Sequence, residues 1–548
     1  GTYAFDPSVG DLQVQRFFPE RRRDRFIQAA LTLEGKLGNW DVTYAGAYLD
    51  RKDFTESDYT DYAEYYDSYY STSGGIAGYQ NFVDSLGNTI DPRQHIDGTN
   101  HFKKMSHELR VASPSSDPFR LVAGVFMQHQ SNAIYQDYKV DNLAPNMSVN
   151  GSPGTLWLTK QYRRDRDYAM FGEASFDVSP TFTLTAGLRV FMYDNDLIGF
   201  FGFGRDPAGN FTASPRNPGD FSAGTSFCFV EGGQRVRDVA GSPGITFIAP
   251  AVEGTPCTNL GNYNAGTGSV DPVAARGSGV TYRFNATWKP SSSAMVYGTF
   301  SRGFRPGGIN RRGDFGAYDP DYLKNYEIGF KTTPARGVRL NGAIYQQDWD
   351  KFQFSYLGPN SFTVISNGPS ARIRGAELDF GYNVDSFQFN VNASYTDAIM
   401  QKNLCRGIDP TFECDNLLSN GNPNSVAAPA GTRLPVTPQF KIAGTARYTV
   451  PMGEAKAYGQ VNASYQSWAA PALRTSDVAT LGRLEPYGQV NLAVGADWET
   501  FNLELFVSNL FDERGEVSKF VQCGACTQRV YTVPTLPRMF GLRLGAKY

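Results

Sequence analysis

The chain has little that would let it cross a membrane as a helix. Nowhere in its 548 residues do 18 apolar residues follow one another, which excludes a helical membrane span. The mean hydropathy is −0.38, although 14% of the residues are aromatic. A polar chain rich in tyrosine and phenylalanine fits a membrane wall built of strands, because only alternate residues of such strands meet lipid while the others face water.

Basic charge and catalytic motifs are also sparse. The formal net charge is −3 and the pI is about 6.0, so no basic surface argues for a nucleic-acid partner. The sequence shows no nucleophile–base pair, no phosphate-binding loop and no dinucleotide fingerprint. We therefore predict that the protein is not an enzyme and carries no cofactor.

A leader segment is missing as well. The chain starts at Gly1 with no initiator methionine, no basic stretch and no apolar stretch. We expect a signal peptide to have been cleaved or to belong to a longer missing segment.

Cysteine is scarce, and all six residues lie in stretches rich in glycine, proline and asparagine. We predict three local disulfides: Cys228–Cys257, Cys405–Cys414 and Cys523–Cys526. Paired cysteines in surface loops indicate an oxidising compartment. The last pair, spaced Cys-Gly-Ala-Cys, could instead be half of a redox or zinc site, but the sequence shows neither a second pair nor a helix start beside it.

The sequence does contain a repeated run of about ten residues in which apolar and polar residues alternate. In the last run Phe540, Leu542 and Leu544 form one face, while Arg543 and Lys547 belong to the other. A strand with one lipid face and one aqueous face has this pattern. We count about seventeen such strands, centred near residues 30, 45, 107, 124, 167, 187, 283, 299, 327, 343, 376, 392, 443, 461, 490, 505 and 542.

The connections between these runs are of two kinds. Very short turns, such as those at 179–180 and 289–292, alternate with long polar loops, such as those at 50–101 and 195–277. Short periplasmic turns and longer extracellular loops are typical of a transmembrane antiparallel β-barrel, whereas a soluble β-sandwich has no reason to sort its loops by end. The fold class predicted is therefore all-β, a membrane barrel.

The odd strand count carries a further expectation. Single-chain bacterial barrels close with an even number of strands, so about seventeen implies missing ones. Counting back from Tyr548, which we assume to be periplasmic, places residues 1–22 in the remnant of an extracellular loop and residues 23–548 in the barrel. We thus expect the chain to be truncated at its N-terminus.

Several separated motifs resemble the barrel domain of TonB-dependent receptors. They are SRGFRPGG at 301–308, NYEIGFK at 325–331, RGAEL at 374–378, LPVTP at 434–438, NLFD at 509–512 and the C-terminal strand at 537–548. Each motif is weak alone, but their order and spacing over about 250 residues are specific, and the earlier part of the chain matches through its alternation pattern.

The resemblance implies a 22-stranded barrel closed by an N-terminal plug, with the plug and about five strands upstream of this sequence. It implies an outer-membrane protein in contact with lipid and lipopolysaccharide, coupled through its plug to TonB, ExbB and ExbD. It further implies that extracellular loops bind a scarce small-molecule nutrient for import to the periplasm, with a ferric siderophore as the first expectation. A carbohydrate or cobalamin importer, a passive porin and a surface-binding barrel remain alternatives.

Two groups of residues are candidates for substrate contact. The first lies in a segment of alternating tyrosines and acids at 53–70, where the tyrosines offer stacking surface. The second is a set of arginines where a strand runs into a loop, which could bind an anionic chelate by forked hydrogen bonds. The predicted substrate-binding residues are Tyr59, Tyr62, Tyr65, Tyr66, Tyr69, Tyr70, Arg305, Arg311 and Arg312.

Plainer interpretations of both groups stay open. The tyrosines could pack on neighbouring loops, and the acids could be solvated or hold a cation such as calcium. The arginines could be solvated at the rim or contact anionic lipid. Of the four histidines, His107 and His129 are expected to be polar residues facing the lumen, and His95 and His101 flank a long loop. The segment at 304–307 departs from the signature of haem importers, which disfavours haem as the substrate.

Overall fold

One antiparallel sheet of seventeen strands dominates the computed structural model of the chain. The structure describes residues 9–62, 82–203, 224–239, 245–313, 315–357, 363–407, 409–418, 421–522, 526 and 529–546. Each strand pairs with the one before it in sequence, so the sheet is a continuous meander from the first strand to the last. Across the described residues no pairing joins those two strands, which form the edges of the sheet.

The strands are β1 (Arg21–Leu37), β2 (Trp40–Asp58), β3 (Gln94–Ala112), β4 (Phe119–Val140), β5 (Thr155–Ser179), β6 (Phe182–Phe203), β7 (Val273–Ser291), β8 (Ala294–Arg305), β9 (Asp321–Ala335), β10 (Val338–Asp350), β11 (Ala371–Val384), β12 (Phe387–Met400), β13 (Phe440–Met452), β14 (Ala455–Gln466), β15 (Tyr487–Asp497), β16 (Phe501–Ser508) and β17 (Met539–Ala546). All seventeen strands predicted from the alternation pattern are present.

Eight short turns and eight long loops alternate along this meander, as predicted. The loops are L1 (59–93), L2 (141–154), L3 (204–272), L4 (306–320), L5 (351–370), L6 (401–439), L7 (467–486) and L8 (509–538). The sequence pattern missed L5, which the structure places between β10 and β11. This loop contains its own hairpin, whose alternation continues that of the neighbouring strands and hides the boundary.

Small elements inside the loops give them local structure. Short two-stranded hairpins are Asn262–Asn264 with Ser269–Asp271, Gly308–Ile309 with Ala317–Tyr318, Gln353–Leu357 with Thr363–Asn367, Leu404–Cys405 with Val426–Ala428, and Glu516–Phe520 with Tyr531–Pro534. Two short α-helices, α1 (Val236–Val239) and α2 (Thr475–Leu481), lie in the described parts of the loops. Turns of 3-10 helix occupy Pro145–Met147 and Thr225–Phe227. In the described part of the chain no helix has the length and apolar character that a membrane crossing would need.

The two faces of the sheet differ in the way that the sequence predicts. One face exposes large apolar side chains. Among them are Ile27, Met170, Leu188 and Leu542, which are between 54% and 68% exposed. The other face is polar and encloses an interior space, which we call the lumen. Because successive residues of a strand point to opposite faces, this separation holds along each strand.

Two histidines lie on the face opposite to the predicted one. His107 pairs with Met127 and His129 pairs with Met105 in the register of β3 and β4, on the face that carries Leu109. The prediction that they face the lumen is therefore wrong. His107 nevertheless has a polar partner, because its Nδ1 lies 2.7 Å from the hydroxyl of Tyr44 on the same outer face.

Strand length divides the sheet into two parts. Strands β1–β7 have 17 to 25 residues, and we call them the tall wall. Strands β8–β17 have 8 to 15 residues, and we call them the short wall. A tilted strand crosses a bilayer with about 9–11 residues, so the tall wall continues well past the apolar band at the end that carries the long loops.

Candidate site in the lumen

Loop L4 leaves the wall at the boundary between the tall and the short wall. Strand β8 pairs with β7 only as far as Arg302, which lies opposite Tyr282. Its pairing with β9 continues to Arg305, which lies opposite Asp321. The end of the β8–β9 hairpin is thus free of β7, and it bends towards the lumen.

Loop L4 then packs on the inner face of the tall wall. The Asn195 side-chain amide of β6 donates a 2.9 Å hydrogen bond to the carbonyl of Gly307. The Gln161 side-chain amide of β5 donates a 3.0 Å bond to the carbonyl of Arg311. Ile309 is 7% exposed and belongs to a buried apolar cluster with Leu197 and Ala275. These contacts hold L4 across the lumen side of β5, β6 and β7.

The side chain of Arg311 reaches back to the wall from this loop. Its Nε donates to the Gln161 side-chain oxygen at 3.2 Å, and its Nη2 donates to the Gln136 side-chain oxygen at 3.1 Å. Burial among these groups lowers the pKa of the guanidinium, and the charge of Arg163 acts in the same direction. The side chain stays exposed to the solvent of the lumen, so its positive charge is accessible there.

Aromatic hydroxyls and a second cation complete this cluster. Tyr318 of L4 lies beside Arg163, and burial raises the pKa of its phenol. Tyr138 of β4 is close enough to Arg311 to interact with its charge. We call the group formed by Gln136, Tyr138, Gln161, Arg163, Arg311 and Tyr318 the L4 site. It combines fork-shaped donors with phenol rings, a set suited to an anion that carries aromatic or chelating groups.

The other two predicted arginines have different surroundings. Arg305 donates two bonds of 3.0–3.1 Å from Nε to the Asp321 carboxylate, which also accepts from the Trp349 indole at 3.1 Å. Asp321 is 1% exposed, so this pair ties the base of L4 to β10. Arg312 is 6% exposed, with its guanidinium 5.4 Å from the centre of the Phe315 ring. Of the three arginines, Arg311 is the one that the structure places in the L4 site.

The described tyrosines of the first group pack against other loops. Tyr62 is 9% exposed in an apolar cluster with Phe82, Val140 and Cys526. Tyr59 stacks on Tyr62 with ring centres 4.9 Å apart. It also meets Tyr138 of the L4 site edge-on at 5.2 Å, which places it next to that site. The remaining predicted residues, Tyr65, Tyr66, Tyr69 and Tyr70, lie outside the described residues.

The acidic residues near these tyrosines are paired with other side chains of the protein. Asp53 accepts a 2.8 Å bond from Arg22, and Glu56 is paired with Arg21. Asp61 is paired with Arg529 of L8 and accepts a hydrogen bond from the Tyr531 hydroxyl. The described part of the chain contains no group of three or more metal-ligating side chains.

Two of the predicted disulfides are present. Cys228–Cys257 lies in L3 with Cα atoms 6.0 Å apart, and Cys405–Cys414 lies in L6 with Cα atoms 5.3 Å apart. Cys526 is disulfide-bonded too, while its predicted partner Cys523 lies outside the described residues. The pairing of cysteines within loops agrees with an oxidising compartment.

Sequence reasoning missed most of the L4 site. Gln136, Gln161 and Arg163 lie on strands whose alternation marks them only as lumen residues, and nothing in the local sequence indicates that L4 would reach them. The one available signal was the arginine cluster at the end of β8. That signal identified the loop but not the wall opposite to it.

Comparison with known proteins places these observations in a family. The model of the TonB dependent receptor-like β-barrel family matches residues 2–510. A probable TonB-dependent siderophore receptor PiuA of Acinetobacter baumannii is 26% identical over 253 residues, which are 43% of this chain and 30% of that protein.

Solved structures share the fold. The ferric yersiniabactin uptake receptor FyuA of Yersinia pestis superposes with a TM-score of 0.62 at 12% identity, covering 95% of this chain and 61% of that one. The siderophore receptor PiuA of Acinetobacter baumannii gives a TM-score of 0.60 at 13% identity, covering 95% and 64%. The chain thus spans less than two thirds of the length of these relatives, and identities this low show a common fold alone.

Proposed function

Because the chain belongs to the TonB dependent receptor-like β-barrel family of outer-membrane proteins, we propose that it is the barrel of a receptor that imports a ferric siderophore. The substrate enters from the long-loop end, binds inside the loop crown and passes through the lumen to the periplasm. The proposal takes its substrate class from the chemistry of the L4 site and from the siderophore receptors that the chain is similar to.

The observation that carries the proposal is the position of Arg311. Its guanidinium is held in the lumen by two glutamine oxygens, which align it without neutralising its charge. Arg163 lies beside it, although the carboxylate of Asp165 accepts hydrogen bonds of 2.9 and 3.0 Å from Arg163. Many ferric chelates are anions with aromatic or carboxylate donors. A positive charge in a partly desolvated site attracts such an anion more strongly than it would in bulk water.

The same site argues against the alternatives. A neutral sugar has no charge to pair with the Arg311 guanidinium, so a carbohydrate importer would favour amides and aromatic rings alone. A passive porin is disfavoured by the family, since the model that the chain matches is that of TonB dependent receptor-like barrels. We propose that TonB, with ExbB and ExbD, supplies the energy for import by acting on a plug.

The division into residues 1–22 as a loop segment and 23–548 as the barrel stays a prediction. The same is true of contacts with lipopolysaccharide and of an upstream plug. We propose all three as features of the whole protein.

Uptake of radioactive iron in the native host tests the proposed function. Cells are starved of iron and given ⁵⁵Fe bound to citrate, to a catecholate or to a hydroxamate. Strains lacking either the gene of this protein or tonB should lose uptake of the same chelate. Loss in the gene deletion with full uptake in the tonB deletion would contradict energised import, and unchanged uptake of all chelates in both strains would contradict an iron substrate.

The variant Arg311→Gln tests the site directly. A hydrogen bond to a charged group contributes about 1.5–3 kcal/mol, so we expect the concentration for half-maximal uptake to rise about 10- to 100-fold. Arg336→Gln is the matched control, because Arg336 is exposed in the short turn at the opposite end. Equal uptake by both variants, at equal amounts in the outer membrane, would remove Arg311 from the binding site.

A further inference from the structure

The same short motif occurs on two neighbouring strands of the tall wall. Met-Ser-His lies in β3 and Met-Gln-His lies in β4. The antiparallel register places His107 directly opposite Met127, and Met105 directly opposite His129. Because alternate residues of a strand share a face, the four side chains form a two-by-two block on the outer face, which we call the Met-His block. The chain has only four histidines and nine methionines, so a block that joins two of each stands out from the rest of the wall.

The spacing of the block lets its side chains meet at one point. In an antiparallel pair, directly opposite residues have Cβ atoms about 4.5–5.5 Å apart, and diagonal neighbours are about 7–8 Å apart. The two imidazoles occupy one diagonal of the block and the two thioethers occupy the other. Imidazole nitrogen and thioether sulfur are ligands of soft transition metals, whereas calcium and magnesium prefer the oxygen atoms that this block lacks. The block thus presents a ligand set for a soft metal ion.

One of the two histidines is oriented by a residue of the next strand. The Nδ1 atom of His107 lies 2.7 Å from the hydroxyl of Tyr44 on β2. Gly46 lies directly opposite His107, and a Cβ atom there would lie 2.7 Å from the Tyr44 hydroxyl oxygen. The glycine therefore leaves the space through which the hydroxyl reaches the imidazole. A histidine that binds a metal through one nitrogen characteristically bonds a second group through the other, and here Nε2 of His107 is the nitrogen left for the metal.

The remaining ring nitrogens are not used within the protein. Across the residues that the structure describes, neither Nε2 of His107 nor either nitrogen of His129 has a hydrogen-bond partner. His129 is exposed, and Met105 and Met127 are 39% and 41% exposed. Polar nitrogens without a partner are costly on a face that meets lipid. A ligand that occupies these nitrogens removes this cost.

The block lies at the upper end of the apolar band, within reach of ions in water. Towards the short turns the outer face of β3 continues with Leu109, which is 46% exposed. Towards the loops the next residue of β3 on this face is Lys103, so the apolar band ends there. Arg166 lies directly opposite His129, and its guanidinium contacts two carboxylates of β6 at 2.6 and 3.4 Å. The positive charge of Arg166 therefore does not stand alone beside the block.

We propose that the Met-His block binds a soft monovalent metal ion, copper(I), through two sulfurs and two imidazole nitrogens. All four ligands are neutral, so the complex carries a single positive charge, which costs less at an apolar surface than the two charges of zinc. The described residues contain no group of three or more histidine, cysteine or acidic side chains that could hold a metal ion. The thioethers therefore complete the ligand set, and they select a soft ion. The proposal goes beyond nutrient import, because the block faces away from the L4 site.

The metal content of the purified protein tests the proposal. The full chain is made without a histidine tag and kept in detergent, and silver(I) is the probe, because it is as soft as copper(I) and is not oxidised further. Bound silver per chain is measured after gel filtration for the wild type, for the ligand variant Met105→Leu/Met127→Leu and for the control Met192→Leu/Met452→Leu. Leucine replaces methionine at nearly constant volume. The control methionines are also exposed on strands, at 56% and 57%.

We expect one silver ion per chain in the wild type and in the control, and none in the ligand variant at the same silver concentration. An excess of zinc(II) should leave the silver in place. Equal silver content in the wild type and the ligand variant would overturn the proposal. Displacement of silver by zinc(II) would overturn it as well, because the histidines alone would then form a site for divalent ions.

The affinity for copper(I) itself measures the contribution of Tyr44. In competition with a copper(I) chelator, Tyr44→Phe should bind copper(I) about 10- to 100-fold more weakly than the wild type, because His107 loses the group that orients it. An unchanged affinity would overturn the assignment of Nε2 as a ligand.

Thermal unfolding supplies a readout that does not depend on counting ions. Silver(I) binds the folded block more tightly than the unfolded chain, so it should raise the unfolding temperature of the wild type and leave that of the ligand variant unchanged. Without silver the two proteins should unfold at the same temperature, since the leucines keep the volume of the thioethers. An equal rise in both proteins would place the bound silver elsewhere and overturn the proposal.

Discussion

The tall wall and the short wall both extend the barrel beyond the membrane, but they do so with different structures. Strand β5 has 25 residues and continues as regular strand far above the apolar band, whereas β16 and β17 have 8 residues each. On the short wall the extension consists of loops instead. A buried cluster that includes Phe352 of L5, Leu404 of L6 and Leu473 of L7 holds these loops to one another.

The difference is explained by what each extension meets. Above the membrane the tall wall carries ion pairs on both faces: Arg22 with Asp53 at 2.8 Å on the lumen face, and Arg164 with Asp196 at 3.0 Å on the outer face. Its upper end also receives loops on both faces, L3 against Phe200 and L4 against Leu197. Regular strands satisfy their backbone hydrogen bonds without a core. The packed loops of the short wall need apolar contacts, and they gain a shape that regular strands cannot provide. The tall wall thus forms a rigid surface on which a loop of the short wall can dock.

The junction between the two walls gives the largest expected effect. Asp321 is 1% exposed and accepts bonds from Arg305, from the Trp349 indole and from the Gln353 backbone at 2.9 Å. We expect Asp321→Ala to lower the free energy of unfolding in detergent by about 2–3 kcal/mol, because it removes the acceptor of the Trp349 indole and of the Gln353 amide.

A neighbouring acid serves as the control for that variant. Asp319 lies two residues earlier and pairs with Lys351, but both side chains are more than 60% exposed. We expect Asp319→Ala to cost less than about 1 kcal/mol. Equal effects of the two variants, measured by urea unfolding, would show that the junction is not a special anchor.

A smaller and pH-dependent effect is expected in L8 of the short wall. The Arg514 guanidinium, followed by the Arg538 backbone amide, lowers the pKa of the Asp512 carboxyl to about 2. The folded state therefore favours the charged form, and this contribution is complete above about pH 4 and is lost as the pH falls towards 2. Limited proteolysis of L8 should accelerate over this range in the wild type.

The variant Asp512→Asn isolates this carboxyl from the other acids. Its L8 should be cleaved faster than wild type at pH 6, with a smaller further acceleration between pH 4 and pH 2. An acid response of the variant that equals that of the wild type would assign the sensitivity to other carboxyls.

The sequence predicted the number and order of strands because membrane contact imposes a strict two-residue period. It did not predict their length, since above the membrane the regular alternation of apolar and polar residues ends. The β5 segment at 163–167, Arg-Arg-Asp-Arg-Asp, is part of a strand yet contains no apolar residue. The alternation pattern therefore predicts the number and order of the strands better than it predicts their length.

The candidate site was predictable only in part, for a related reason. Motif and charge identified the L4 arginines, but the contacts that distinguish Arg311 join residues 150 positions apart in sequence. In contrast, the NLFD motif has a local explanation in the structure. Asn509 adopts a φ of 52° and is 3% exposed, with its side chain bonded to the backbone of Glu513 and Leu536. A local geometry of this kind can be recognised from a short sequence motif, whereas contacts between residues far apart in the sequence cannot.

The docking of L4 on the tall wall is the central claim, and a reversible cross-link tests it most directly. Ile309 of L4 and Ala275 of β7 belong to one buried cluster, so cysteines at these two positions should form a disulfide under oxidising conditions. We predict that the pair Ala275→Cys/Ile309→Cys cross-links in intact cells, that a reducing agent reverses the cross-link, and that neither single variant forms it. Absence of the cross-link under oxidising conditions would contradict the account.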